Sequence, residues 1–216
     1  MDFVVSDYDK QGTCGRGRTG HRPVDNEDRV NAAAFRSSIR RLIDCSVGAI
    51  VVGGSVGKGP LLVDREWEHG GHCARRGEEC RSPKESSSDF AYLHRLVEAG
   101  AEFGLRVLQG DEPNIAAGLL AGAVGIVPAC ANYEPATFLR ACQAARAGDQ
   151  AKLARCQERV MCLRSKLVLA GPNWIAGVKA SVASLGIGSG RLASPLQPLT
   201  DVEKASLRTI DPPKIH

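Results

Sequence analysis

The sequence predicts an α/β fold in which short buried strands alternate with helices around a parallel sheet. Short apolar runs recur at residues 49–52, 105–108 and 123–127, as expected of strands buried on both faces. Stretches with apolar residues at helical spacing precede or follow these runs. Strands that alternate with helices across short turns form βα units, and such folds place their chemistry where the strands end and the loops begin.

Composition supports a single globular domain. The chain has 216 residues, of which 43% are hydrophobic and 24% are charged. The formal net charge of +4 is too small to indicate a nucleic-acid partner. Because no window of 18 apolar residues occurs, we expect no membrane span, and the first residues lack the features of a secretory signal. We therefore expect a cytoplasmic protein that has neither a nucleic-acid nor a membrane partner.

The eight cysteines are scattered along the chain rather than grouped as a disulfide framework. Cys45, Cys142 and Cys162 lie among apolar neighbours at helical spacing. This pattern predicts buried free thiols in a reducing compartment.

The N-terminal part of the chain alternates between irregular and regular segments. Residues 1–28 are predicted to be irregular, since the glycine-rich run at 12–20 opposes both helix and strand. Residues 28–44 are predicted to form a helix, and residues 49–52 a strand of a parallel sheet. Residues 69–80 show no periodicity. The predicted helix carries one apolar face, formed by Phe35, Ile39, Leu42 and Ile43.

Regular structure is predicted from Lys84 onwards. A helix over 89–102 has Tyr92, Leu93, Leu96 and Val97 facing inward, and strands at 105–108 and 123–127 flank a short helix over 113–120. Helices are then predicted at 135–146, 149–167 and 175–185, and Gly186 ends the third of them. A last helix is predicted after Thr200, which caps its first turn. In the helix at 149–167 the spacing of Leu153, Val160, Leu163 and Leu167 predicts the buried side.

The glycine-rich loop at 53–59 is the first candidate site. It follows a predicted strand and contains Gly57 and Lys58, but its spacing does not match a nucleotide-binding phosphate loop. Its freed main-chain amides, together with the hydroxyl of Ser55, could instead hold a small carboxylate.

Other polar groups give weaker signals. His69, His72, Cys73 and Cys80 match no standard zinc spacing, so we expect no metal site. The Arg/Gly run within 12–22 is typical of a solvated segment. A zinc or nucleic-acid module built on these two segments is the weakest hypothesis, and we expect no cofactor.

Several motifs follow one another in a fixed order along the chain. The run Gly-Gly-Ser-Val-Gly-Lys follows the predicted strand at 49–52, and Lys84-Glu85-Ser86-Ser87-Ser88-Asp89 comes later in the chain. Gly110-Asp111, a Gly-x-x-Gly run from Gly122 and an Asn-x-x-Pro run from Asn132 come next, before residues 186–196. Residues 24–66 and 83–210 thereby resemble the dihydrodipicolinate synthase / N-acetylneuraminate lyase family of Schiff-base aldolases.

The resemblance implies a (β/α)8 TIM barrel that acts on pyruvate or another 2-oxo acid. Lys84 takes the place of the nucleophile, and Ser55 that of a threonine that relays protons. The amides of Ser55 and Val56 would hold the substrate carboxylate, and Gly110 and Val127 would line the pocket. A lysine amine attacks a ketone only after losing its proton, so the resemblance implies that Lys84 is sheltered from water.

The chain departs from this family in its middle part. A complete barrel needs about 250 residues, and only residues 67–82 bridge the segment that should carry several strands and the family's catalytic tyrosine. We therefore expect an incomplete (β/α)8 TIM-barrel-like fold over 24–210 with a helical C-terminal region, preceded by an irregular segment at 1–23 and followed by a tail at 211–216. Tyr92 and Tyr133 do not occupy the place of the missing tyrosine, and Pro83 replaces an apolar residue before Lys84.

Two functions remain open from the sequence. The first is a lyase that forms or cleaves a carbon–carbon bond through a Schiff base between Lys84 and pyruvate, impaired by the missing segment. The second is a catalytically inactive family fragment that acts as an interaction or oligomerisation module. Open strand edges in a partial barrel could be covered by homo-oligomerisation.

Overall fold

The computed structural model describes residues 2–4, 31–45, 49–51, 84–103, 105–169, 173–192 and 196–208. Within these ranges the strands are β1 (Asp2–Val4), β2 (Ala49–Val51), β3 (Lys84–Glu85), β4 (Leu108–Gln109) and β5 (Gly125–Ile126). The helices are α1 (Ala32–Asp44), α2 (Phe90–Glu102), α3 (Ile115–Leu120), α4 (Pro135–Arg146), α5 (Gln150–Leu169), α6 (Trp174–Ala183) and α7 (Asp201–Arg208).

The three strands of the C-terminal part form a parallel sheet in the order β3-β4-β5. Lys84 pairs with Leu108, and Leu108 pairs with Gly125. Helix α2 connects β3 to β4, and α3 connects β4 to β5, so the described part contains two consecutive βα units. This arrangement confirms the α/β class and corresponds to an incomplete barrel with a helical C-terminal region.

The N-terminal strands differ from the sequence prediction in two ways. The segment predicted to be irregular contains β1, and β2 pairs with β1 in antiparallel orientation rather than within a parallel sheet. The apolar run at 49–52 predicts a strand correctly, but a run of this kind carries no information about the direction of its partner.

Local sequence signals explain where several helices begin and end. The Asp89 side chain accepts a hydrogen bond from the Tyr92 amide (2.9 Å) at the start of α2. Thr200 and Glu203 form a reciprocal cap at the start of α7, in which Glu203 Oε2 accepts from the Thr200 amide at 2.7 Å. Pro135 opens α4, and Gly186, with φ of 78°, follows the end of α6.

The main core lies between β5 and the helices α1, α4 and α5. Phe138 and Val160 are fully buried, and Leu42 brings α1 into the same cluster. On α5 the predicted buried side is confirmed at Leu153, Val160, Leu163 and Leu167. Burial of this apolar surface supplies most of the stability that holds the helices against the sheet.

Some side chains predicted to face inward are exposed. Tyr92 is 46% exposed. Cys162 is also exposed, while Cys142 is buried as predicted and Cys45 is partly buried. Helical spacing alone does not show which flank of an apolar stripe meets the core, and this limitation accounts for Tyr92 and Cys162.

None of the helices in the described ranges is long and apolar enough to cross a membrane.

The two cysteines Cys142 and Cys162 should differ strongly in reactivity. Burial, together with the neighbouring Cys156 thiol, raises the pKa of the Cys142 thiol to about 12. At pH 8 we expect iodoacetamide to label the exposed Cys162 while Cys142 remains unlabelled until the protein unfolds, because the thiolate is the nucleophile. Mass spectrometry of the labelled peptides measures this difference.

The same shift predicts a pH dependence of stability. The folded state holds the Cys142 proton more tightly than the unfolded state, whose thiol has the ordinary pKa of 9.0. This contribution is fully present below pH 9 and is lost as the pH rises from there towards about 12. Equal labelling of Cys142 and Cys162 by iodoacetamide in the native protein at pH 8 would contradict both the predicted difference in reactivity and the raised pKa of the Cys142 thiol on which the pH dependence rests.

Candidate functional site

Three of the residues singled out from the sequence lie on one face of the parallel sheet. Lys84, Leu108 and Gly125 are register partners, so their side-chain positions share a face. Gly110 and Val127 lie two residues further along β4 and β5 and therefore belong to the same face. The structure thus places Lys84, Gly110 and Val127 on one face of the three-stranded parallel sheet.

Gly110 and Lys84 are in close contact. A Cβ atom built on Gly110 would overlap the Cε atom of Lys84 and the Oγ atom of Ser86. The Gly110 amide also donates to the Glu85 carbonyl oxygen at 2.6 Å, which continues the ladder past the end of β3. The absence of a side chain at Gly110 is therefore what lets the aliphatic part of Lys84 lie across β4.

Val127 closes the other side of this face. Its amide donates to the Gln109 carbonyl oxygen at 2.8 Å, and its side chain packs with Leu108 and Val124 in a small apolar cluster. Val127 is buried, so the cluster forms an apolar surface on the same face as the aliphatic part of the Lys84 side chain.

The expectation that Lys84 is sheltered from water is wrong for the described structure. Lys84 is exposed, while Glu85, its neighbour on β3, is buried. In the family fold the strands of a closed barrel surround the lysine, but here the described parallel sheet has three strands. With β3 at its edge, nothing in this sheet covers the amine from the side opposite β4.

Ser55 and Val56 lie outside the described residues. The same is true of the bridge at 67–82, of the Arg/Gly segment at 12–22, and of His69, His72, Cys73 and Cys80. Their roles stay predictions from the sequence. Within the described ranges, no group of three or more histidine, cysteine or acidic residues could hold a metal ion.

The opposite face of the sheet carries polar residues that the sequence analysis did not select. Glu85 and Gln109 are both buried there, and Ile126 on the same face joins the main helical core. Glu85 Oε1 accepts from the Ser87 amide at 2.6 Å, and Gln109 Oε1 accepts from the Asp111 amide at 2.7 Å. These bonds fix the first residues after β3 and β4. Side chains alternate between the two faces of a strand, and this alternation, counted from Lys84, was the sequence signal that could have identified Glu85 and Gln109.

Two acidic side chains after β4 have raised pKa values. Burial raises the pKa of the Asp111 carboxyl group, and the hydrogen bond from Asn114 offsets part of this increase. Burial also raises the pKa of Glu112, although Glu112 Oε1 accepts from the Cys130 amide at 2.7 Å. The Glu112 carboxyl group thereby ties the segment after β4 to the turn after β5.

A second set of contacts fixes the segment that follows β5. The Arg41 guanidinium of α1 donates to the carbonyl oxygens of Asn132 (3.1 Å) and Tyr133 (2.8 Å). Arg159 on α5 binds Glu134 through two bonds, at 2.9 and 2.5 Å, and both side chains are largely buried. The ends of β4 and β5 are therefore held by the surrounding helices.

The two described tyrosines have different surroundings. Tyr92 lies exposed on α2, and the Tyr133 hydroxyl donates to the Leu163 carbonyl oxygen at 3.0 Å. That neither tyrosine replaces the family's catalytic tyrosine stays a prediction from the sequence.

The described site lies on a parallel βα scaffold. A primary amine stands on its edge strand β3, a glycine leaves room beside it, and helix contacts fix the segment after β5. The sequence model of the dihydrodipicolinate synthetase family matches residues 77–210. The chain belongs to this family.

Individual relatives show the same affiliation. The chain is 36% identical over 124 residues to a DapA-like lyase of Halobacterium salinarum and 29% identical over 131 residues to the 4-hydroxy-tetrahydrodipicolinate synthase of Methanoculleus marisnigri. These matches cover 57% and 59% of this chain but only 40% and 43% of the relatives. The matched region thus spans less than half of the length of either relative.

A solved structure of the same fold extends the comparison. YagE of E. coli K12, a family member crystallised in complex with pyruvate, aligns with a TM-score of 0.77 at 15% identity. The alignment covers 93% of this chain and 97% of YagE. At this level of identity the likeness shows the TIM-barrel fold alone.

Proposed function

We propose that the chain carries the Schiff-base chemistry of a lyase, with Lys84 as the amine that condenses with pyruvate or another 2-oxo acid. The observation that supports this proposal is the placement of Lys84, Gly110 and Val127 on one face of the parallel sheet, with Gly110 leaving room for the Lys84 side chain. Family membership and the pyruvate bound to YagE support the choice of substrate class.

The proposed reaction begins at the Lys84 nitrogen. The neutral amine attacks the ketone carbon, the carbon–oxygen bond breaks, and the oxygen leaves as water after two proton transfers. The resulting iminium accepts the electron pair of an adjacent carbon–carbon bond as that bond breaks, or supplies its enamine form when a bond is made. Hydrolysis of the imine returns the amine.

The proposal assigns two further roles by resemblance. The Ser55 hydroxyl would relay protons, and the amides of Ser55 and Val56 would hold the substrate carboxylate. Main-chain amides in a glycine-rich turn suit this task because they point several donors at one anion.

Turnover is expected to be slow in comparison with a complete barrel. Because Lys84 is exposed, water has access to the iminium and can hydrolyse it before carbon–carbon chemistry takes place. In addition, the sequence predicts that neither Tyr92 nor Tyr133 takes the place of the family's proton-shuttling tyrosine. Imine formation, rather than rapid carbon–carbon chemistry, is therefore the activity that tests the proposal most directly.

Reduction with borohydride in the presence of pyruvate should trap the imine on Lys84. We expect a mass increase equal to pyruvic acid minus one oxygen atom, located on the peptide that contains Lys84. Lys84→Met should abolish this adduct, whereas Lys152→Met on α5 should leave it unchanged. An adduct that persists in Lys84→Met, or no adduct in the unmodified chain, would contradict the assignment.

The second function, an interaction module, is favoured by a different observation. Phe103 is 70% exposed and Leu120 is 60% exposed, and both lie at or beside the ends of α2 and α3. Contiguous exposed apolar patches are typical of surfaces that another subunit covers, and association through Phe103 or Leu120 would remove this apolar area from water. Absence of the Lys84 adduct would leave this function as the remaining candidate.

A further inference from the structure

Glu112 is a buried carboxylate beside the parallel sheet that the proposed imine chemistry does not use. It lies two residues after Gly110, in the segment that follows β4, and only 8% of it is exposed. A buried carboxylate costs free energy unless its oxygens accept hydrogen bonds from nearby donors. The donors that face Glu112 therefore indicate what this side chain contributes to the structure.

The hydrogen-bond donors that face the Glu112 carboxyl group come from the turn after β5. Glu112 Oε1 accepts from the Cys130 amide at 2.7 Å, across 18 positions of sequence. Burial raises the pKa of this carboxyl group, while the Cys130 amide, the Cys130 thiol and the Ala129 amide lower it in part by hydrogen bonding. One carboxyl group thus holds several donors of a single turn, as expected of an anchor between two segments.

The main chain around Glu112 is held by a different side chain. Gln157 Nε2 of α5 donates to the carbonyl oxygens of Glu112 and Pro113 at 3.0 and 3.1 Å, and Gln157 Oε1 accepts from the Ala116 amide at 2.8 Å. These bonds do not involve the Glu112 side chain, so they hold the segment after β4 against α5 without it. What the carboxyl group adds is the link between this segment and the turn after β5.

This link lies close to two residues of the candidate site. Gly110 precedes Glu112 by two residues, and Val127 precedes Cys130 by three. The Val127 amide makes a ladder bond to β4, and the bond between Glu112 and Cys130 continues the connection past that point. A shift of either segment would therefore change the spacing of Gly110 and Val127, which occupy neighbouring positions on the face that carries Lys84.

Substitutions at position 112 can separate the hydrogen bond from the charge. Glutamine presents an amide oxygen to the Cys130 amide and carries no charge that must be desolvated, so Glu112→Gln should be at least as stable as the unmodified chain. Methionine has a similar length but accepts no comparable hydrogen bond, and it leaves the Cys130 amide without this partner. Aspartate keeps the charge, but its side chain is shorter by one methylene group.

We propose that Glu112 is a positioning residue for the candidate site, because its hydrogen bond to the turn after β5 holds Gly110 and Val127 at the spacing that lets Lys84 lie across β4. Glu112 acts through these two residues and takes no part in making or breaking bonds. The inference rests on the proposed function, since Lys84 is the amine assigned to imine formation.

Amide hydrogen exchange of the full chain, measured by NMR, tests the link itself. We expect Glu112→Met to speed exchange of the Cys130 and Val127 amides at least about tenfold, the effect of losing one hydrogen bond to a charged group. Glu112→Gln keeps the acceptor and should change exchange far less. Because Gln157 still holds the main chain, Glu112→Met should remain folded. Unchanged exchange of the Cys130 amide in Glu112→Met would overturn the proposal, whether or not pyruvate is trapped.

Borohydride trapping with pyruvate tests the consequence for Lys84. Glu112→Met and the shorter Glu112→Asp should each slow formation of the adduct at least about tenfold, since small displacements of a reacting group are costly. Glu112→Gln should keep the unmodified rate, a rescue that shows the hydrogen bond rather than the charge to be required.

A control variant separates positioning from a general loss of stability. Asn173→Ala removes the cap of α6 and a bond of 2.8 Å to the Gln197 carbonyl oxygen, so it should lower stability without slowing trapping. Equal slowing in Asn173→Ala and Glu112→Met, or trapping at the unmodified rate in Glu112→Met, would overturn the proposal. Absence of an adduct in the unmodified chain would instead refute imine formation, and exchange of the Cys130 amide would still decide whether Glu112 holds the two segments together.

Discussion

Replacing Gly110 with alanine is expected to reduce imine trapping at Lys84 by at least about tenfold, since displacement of a reacting group by about 1 Å can cost 10²-fold in rate. The added Cβ would overlap Lys84 Cε and Ser86 Oγ, and it would lie 3.0 Å from the Glu85 carbonyl oxygen. Lys84 can move because it is exposed, so the amine should be redirected away from the shared face. Borohydride trapping with pyruvate, followed over time by mass spectrometry, measures the effect.

Two controls separate displacement of Lys84 from a general loss of structure. Gly148→Ala removes a glycine at which a Cβ would meet nothing within 4 Å, and it should leave trapping unchanged. Because the backbone at position 148 has a φ of 68°, the alanine variant should nevertheless be about 1 kcal/mol less stable than the unmodified chain. Thermal unfolding of Gly110→Ala should show a folded protein. Trapping at the unmodified rate in a folded Gly110→Ala chain would show that Lys84 does not depend on the space beside it.

Replacing Phe138 with alanine should lower the free energy of unfolding by about 3–5 kcal/mol, the usual loss for a buried phenylalanine. Phe138 is fully buried on α4, in the cluster that joins α4, α5, β5 and Leu42 of α1. The substitution removes apolar contacts and leaves a cavity that the surrounding helices cannot fill. Urea unfolding monitored by circular dichroism measures the change.

The chain provides a matched control of the same residue type. Phe103 is 70% exposed at the end of α2, so Phe103→Ala should change the free energy of unfolding by no more than about 0.5 kcal/mol. A similar loss in both variants would mean that Phe103 is covered, for example by a second subunit. A small loss in Phe138→Ala would contradict the placement of the main core.

The position of Lys84 has consequences for how this family member could work. The apolar surface formed by Leu108 and Val127 is present, as are the contacts of Glu112 and Arg41 that fix the neighbouring loops. The described sheet, however, leaves one side of Lys84 exposed. A binding partner or another part of the chain that covered this side would exclude water from the amine, and this is the physical change that would most increase its reactivity.

Most of the helical C-terminal region was predictable because its signals are local. The bounds predicted for 135–146 coincide with α4, and the cap at Thr200 and the stop at Gly186 lie where the side-chain chemistry places them. Strand lengths were less accurate. The run at 105–108 overlaps β4 only at Leu108, and the run at 123–127 contains the two residues of β5, since pairing depends on a neighbour that the local sequence does not describe.

The candidate site was predictable in part. Order and spacing of motifs identified Lys84, Gly110 and Val127, and the parallel register brings them to one face. The polar contacts of Glu85, Gln109 and Glu112 were missed, because their partners are main-chain amides whose positions depend on how the loops are packed. The antiparallel pairing of β1 with β2 was missed for a related reason, since it joins segments that lie far apart in the sequence.

The sequence alone determined family membership, the positions of the helices and the identity of the proposed reactive amine, since each depends on residue type and short-range spacing. Tertiary structure decided which apolar side chains are covered, how the loops after β4 and β5 are held, and that Lys84 is exposed. Burial is a property of what surrounds a residue from distant parts of the chain, and local sequence carries little information about it.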